Sequence, residues 1–94
     1  MTLEEKLRGK GWREVELEGL FEDGDLAVAF ARGRGGTYCP AVDFSARAYF
    51  CSCPGHRIRG GVCKHIAALL VHLRGRRREE ELEEVLLWPR TPGA

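Results

Sequence analysis

The chain has 94 residues, of which 31% are charged and 44% hydrophobic, and its net charge is +1. That length suits one small domain over 1–94, burying only about 60–65% of the surface its unfolded form exposes, so an added staple is expected. The composition excludes a disordered chain, no apolar run approaches the ~20 residues that cross a membrane, and residues 1–6 lack a secretory signal's basic stretch and apolar core, which points to the reducing cytoplasm.

Thr2 followed by Glu5 forms a capping box, and Leu3 and Leu7 lie one turn apart, so residues 2–9 read as a short helix. From Arg13 to Phe21 apolar and acidic residues alternate, with Val15, Leu17, Gly19 and Phe21 on one face and three glutamates on the other. That alternation predicts a half-buried strand. Residues 22–25 are a turn, and a second strand follows, with Leu26, Val28 and Phe30 on one face and three alanines on the other. After the Gly33–Gly36 turn, residues 37–44 form a weaker strand in which Pro40 marks an edge or a bulge. A reversal at Ser45 leads into a strand over 46–53, on which Arg47, Tyr49, Cys51 and Cys53 share a face. Pro54-Gly55 stops it, and a glycine-rich loop runs to Gly61. Residues 62–74 then form a helix whose apolar stripe is Val62, Ile66, Leu69, Leu70 and Leu73. Residues 79–88 form an acidic last helix with Leu82, Val85 and Leu86 inward. The expected architecture is an α+β domain, a small antiparallel sheet of three or four strands with helices.

Cys51-Ser52-Cys53 ends a strand and Cys63-Lys64-His65 opens a helix. In a reducing compartment clustered cysteines argue for metal rather than disulfides. Zinc takes four thiolate or imidazole ligands placed tetrahedrally, with Zn–S about 2.3 Å and Zn–N about 2.0 Å. Residues i and i+2 of a strand lie about 6.6 Å apart, too far for two sulfurs of one site, so the chain must curl between the cysteines. On a helix, i and i+2 point about 200° apart, which places Cys63 at the helix start and His65 in its first turn. A buried thiol cluster with a surface histidine is the plainer alternative, and it leaves the paired spacing unexplained. A Cys51–Cys53 redox pair leaves Cys63 and His65 without a role. The four residues Cys51, Cys53, Cys63 and His65 are therefore read as ligands of one structural Zn2+.

The run Cys51-Ser52-Cys53-Pro54, Gly60-Gly61 and Cys63-Lys64-His65-Ile66-Ala67-Ala68-Leu69-Leu70 resembles the SWIM zinc finger over about residues 36–74. The resemblance implies a ββα zinc module that contacts DNA or other proteins. The catalytic domains that usually accompany the finger have no counterpart in this sequence, which suits a free-standing form or an accessory subunit.

Other candidates carry less. Cys39 shares parity with Ala41 and reads as a small buried hydrophobe rather than a fifth ligand. His56, between the ligand pairs, reads as a solvated loop residue. His72 lies about 10 Å beyond His65 along the helix, too far to share its ion, and is expected to border the core. Tyr38 and Tyr49 have the rings to stack on bases but read first as core residues.

The near-neutral total hides three blocks: residues 1–30 carry net −4, residues 31–78 net +9, and residues 79–94 net −4. The basic block holds every Cys and His, so Arg57, Arg59, Lys64, Arg47 and Arg34 are candidate nucleic-acid contacts, DNA being favoured. Arg76-Arg77-Arg78 is assigned instead to its own helix end and the glutamates that follow. The alternative partner is a protein, or a second copy of the chain, docked through the acidic flanks or Leu86-Leu87-Trp88. A closed ligand shell and the lack of a nucleophile with its base argue against an enzyme.

Overall fold

The computed structural model describes residues 2–89. Thr2 caps the first helix, α1 (Leu3–Lys6), accepting the Glu5 N–H at 3.3 Å, and its hydroxyl donates to the Glu5 carboxylate at 3.1 Å, so the two residues of the expected box do meet, through the hydroxyl on both bonds. The chain then makes a single 3-10 turn, Trp12–Glu14, before entering β1 (Glu16–Asp23). The first strand thus starts later than its alternation predicts.

β1 pairs antiparallel with β2 (Leu26–Gly33), and a bulge between Leu17 and Gly19 shifts the register by one residue. A one-residue slip exchanges the two faces of a strand. Leu17 and Leu20 therefore pack against the core while Phe21, expected on the same face as Leu17, is exposed. On β2 the buried face is the one with Ala27, Ala29 and Ala31. Their small side chains let a helix approach the sheet closely.

β2 continues the sheet on its other side in two pieces, β3 (Gly36–Tyr38) and β4 (Ala41–Asp43), and β4 pairs with β5 (Ala48–Phe50). Cys39 and Pro40 form the break between the pieces: Pro40 has no N–H to give, but its carbonyl accepts from Ala29 at 3.1 Å. The reversal between β4 and β5 places Arg47 at φ 55, so it sits in the turn and shares no strand face with Tyr49. The sheet order is β1-β2-β4-β5, with β3 beside β2, which is the antiparallel α+β arrangement expected.

Residues 54–59, read from sequence as loop, are helical: α2 (Pro54–Arg59) begins on a proline, which suits a first turn, and ends at Gly60 in the left-handed region. The next helix, α3 (Lys64–His72), is shorter than its apolar stripe and packs across the inner face of the sheet. Ile66, Leu69, Leu70 and Leu73 are fully buried there beside Leu3 and Leu7 of the N-terminal helix. The predicted last helix is α4 (Glu79–Glu84) followed by a 3-10 turn, Val85–Leu87.

The last helix closes the core. Leu82 and Val85 are fully buried, and Trp88 stacks near-parallel on Tyr49 at 6.4 Å with Phe44 edge-on at 5.8 Å. Arg77 fastens the preceding turn by hydrogen bonds to Gly24 O, Asp25 and Glu81, its guanidinium lying 4.1 Å over the Phe44 ring. Lys6 pairs with Glu83 at 2.6 Å. Trp88 is thus a core residue and cannot also be the docking end expected of it.

Trp88→Ala should cost about 3–5 kcal/mol in urea unfolding, as large-to-small changes in a packed core do. Lys6→Ala, which removes an exposed pair, should cost less than about 1 kcal/mol in the same measurement.

Candidate metal centre

The zinc-ligating residues predicted from sequence sit on three local structures. β5 stops at Phe50, and Cys51 and Cys53 follow in a tight curl, both buried. Ser52 between them turns away and accepts the Cys39 N–H on its hydroxyl at 3.0 Å, which pins the curl to the break between β3 and β4. Cys53 is also the N-cap of α2, its sulfur accepting the His56 N–H at 3.4 Å. An anionic sulfur there gains from the unpaired amides of the first turn. Cys63 caps α3 and His65 follows in the first turn, buried.

One ligand atom from each of Cys51, Cys53, Cys63 and His65 lies within 4.8 Å of the others, and Nδ1 of His65 is 3.9 Å from the Cys63 sulfur. Ligand atoms around a tetrahedral zinc stand about 3.3–3.8 Å apart, so the set fits this ion with a small inward adjustment. The other ring nitrogen, Nε2 of His65, is buried without a hydrogen-bond partner, so the protein's own hydrogen bonding does not explain the imidazole's burial. Three sulfurs and an imidazole at one point suit zinc far better than a hard, oxygen-seeking cation.

The three thiols interact strongly. A hydrogen bond from Cys51 lowers the Cys63 pKa to about 5, while that bond and burial push Cys51 far up. Burial also raises Cys53. A dication bound among them takes all three as thiolates, so the remaining protons leave on ligation. All four cysteines are free of disulfides, and Cys39 stands outside the cluster, half-buried rather than fully buried.

Residues 38–74 match the model of the SWIM zinc finger. The chain carries a SWIM zinc finger. All four ligands lie inside the matched segment. No curated protein and no solved structure matches the chain.

Two histidines take places other than those expected. His56 is buried rather than solvated: Nδ1 lies 2.8 Å from Gly61 O, where it donates, and its ring meets Tyr49 and Phe50 edge-on. It closes the segment between the ligand pairs. Neither its role nor that of Ser52 has a spacing signal: His56 depends on α2, which the glycines at 55, 60 and 61 conceal, and Ser52 on a long-range bond to Cys39. His72 is exposed rather than at the core border, with Nδ1 3.0 Å from Ala68 O.

An open groove of about 580 Å³ runs over the metal cluster, lined by the ligands Cys53, Cys63 and His65 together with Lys10, Tyr38, Arg59 and Lys64. The predicted basic residues divide about it. Arg59 and Lys64 line it, Arg34 lies in the turn next to Gly35, and Arg57 is exposed on α2. Arg47 is at the other end of the sheet, because β5 runs from its turn toward Cys51, and it leaves the candidate set. Lys10 joins the groove although the acidic composition of residues 1–30 hid it.

Protein prepared without added metal should contain one zinc per chain by elemental analysis. Cys63→Ser should lower Tm by more than about 10 °C, and chelation should do the same to the parent, because ligation energy is folding energy here.

Proposed function

We propose that the chain is a non-catalytic, zinc-stabilised module that binds nucleic acid, DNA in the first instance, along the groove over the SWIM finger's metal cluster. The observation that carries this reading is the groove's charge: Lys10, Arg59 and Lys64 line it and no carboxylate does among the described residues. Phosphate backbones reward such a surface by releasing counterions.

Most of the other cations of the basic block are spent inside the molecule. Arg32 pairs with Glu16 and Glu18, Arg74 with Glu4 and Glu79, Arg76 with Glu22, and Arg77 and Arg78 with Glu81. Lys10, Arg57 and Lys64, by contrast, have no ion pair among the described residues. The acidic helix α4 does not line the groove, so it leaves the proposed phosphate path open. Four glycines, at 9, 35, 55 and 61, line it and allow a ligand close to the backbone. Tyr38, Pro54 and Val62 supply apolar surface against which an unstacked base can rest.

A chemical step is not part of this reading, since three thiolates and one imidazole fill a tetrahedral shell and leave no position for water or substrate. Among the described residues no helix is long and apolar enough to cross a membrane.

Fluorescence anisotropy with labelled single-stranded and duplex DNA should give a log–log salt slope of about −2 to −3, as three neutralised phosphates require. The variant Lys10→Ala/Arg59→Ala/Lys64→Ala should flatten that slope while zinc content and Tm hold. Binding equal to the parent's would remove the groove from the function. Because Leu82, Val85 and Trp88 are core residues, cutting the chain at residue 79 would unfold it and is no test of masking.

A further inference from the structure

The outward face of the sheet inverts the usual order of a strand. On β2 the alanines are inside, while Leu26 (40% exposed) and Phe30 (46%) are outside with Val28. The bulge in β1 adds Phe21 (64%) to the same face. Pairing then lays Phe21, Val28, Ala41 and Phe50 in one cross-strand row over four strands, Phe50 being 48% exposed. Phe30 and Leu26 lie in the rows on either side of it. Gly19 sits opposite Phe30, and a Cβ there would meet the Phe30 and Phe21 rings at 3.7 and 3.9 Å, so the two rings close over the glycine as one surface. A continuous apolar patch of this kind on a small domain marks an interaction site.

The rim identifies the occupant's chemistry. Asp23 and Asp43 flank Leu26 in its row, and at the other end Glu16 and Glu18 outnumber Arg32, which they jointly bind. An acidic rim repels a nucleic-acid backbone, and in a face-to-face pair of identical chains it would set carboxylates against carboxylates. We propose that the outer sheet face, with Phe21, Phe30 and Phe50 at its centre, docks a segment of another protein that presents an apolar stripe flanked by lysines or arginines. Most of this face comes from the β1–β2 hairpin, which precedes the matched SWIM residues, so it is a surface this chain adds to the finger. It is independent of the groove: none of the residues of the row lines the groove.

The test uses the zinc-loaded full chain and two synthetic 18-residue helical peptides, one with a leucine stripe flanked by lysines, the other with the same stripe flanked by glutamates. Titration followed by backbone amide NMR should show the lysine peptide binding with a Kd below about 1 mM. Shifts should centre on Phe21, Val28, Phe30, Ala41 and Phe50, and the glutamate peptide should bind at least tenfold more weakly. Phe21→Ser/Phe30→Ser should weaken the lysine peptide about tenfold or more while zinc content and the cooperative transition are kept, since both rings lie on the outer face and neither touches the metal segment. No binding at 1 mM, shifts centred on the glutamates of α4, or equal binding of both peptides would overturn the proposal. So would a parent chain that sediments as a dimer which the double variant dissociates, because the occupant would then be a second copy.

Discussion

Four ligand atoms that must meet at one point set the terms for the rest of this molecule. The curl after β5, the cap of α2 and the first turn of α3 are each short, and none would hold its shape from local preference alone. Convergence on a single ion binds the end of the sheet to the helix that covers it. The supporting contacts are arranged around that demand: Ser52 anchors the curl to the chain at Cys39, and His56 closes the segment between the ligand pairs through the Gly61 carbonyl. In a chain of 94 residues, whose apolar core is modest, such a tie replaces packing that a larger domain would have.

The ligand set was legible because zinc chemistry restricts both residue type and spacing, and the paired Cys-x-Cys and Cys-x-His satisfy both. The core stripe of α3 and the N-terminal capping box were legible for the same reason, since each is a periodic or fixed-offset pattern. What escaped were features decided by a single residue. The bulge at Glu18 costs one position of register and reverses the side to which Phe21 turns, and alternation alone cannot show it. Helix α2 hides behind glycines because its stability comes from a capping sulfur and a buried histidine, both tertiary in origin. Trp88 reads as an exposed apolar end until the partner rings of Tyr49 and Phe44 are placed beside it.

Charge was legible as composition and misleading as location. The basic block and the acidic flanks are largely each other's partners, as Arg74 with Glu4, Arg76 with Glu22 and Arg77 with Asp25 show. Exposed pairs of this kind contribute little stability one by one, but together they neutralise much of the basic block, while Lys10 and Lys64, without an ion pair among the described residues, line the groove at the finger. Two faces of opposite character follow: a cationic groove at the zinc end, and an apolar sheet face with an acidic rim. A ligand suited to one is poorly suited to the other, so a nucleic acid and a protein segment need not compete for the same residues.

The placement of Leu82, Val85 and Trp88 also has a consequence for how the chain is made. All four ligands have been synthesised once His65 is in place, whereas the core lacks one wall until Trp88 has followed. Zinc capture by the four ligands therefore cannot by itself complete the fold, since the segment carrying Leu82, Val85 and Trp88 lies beyond them in the chain and supplies the last wall of the core.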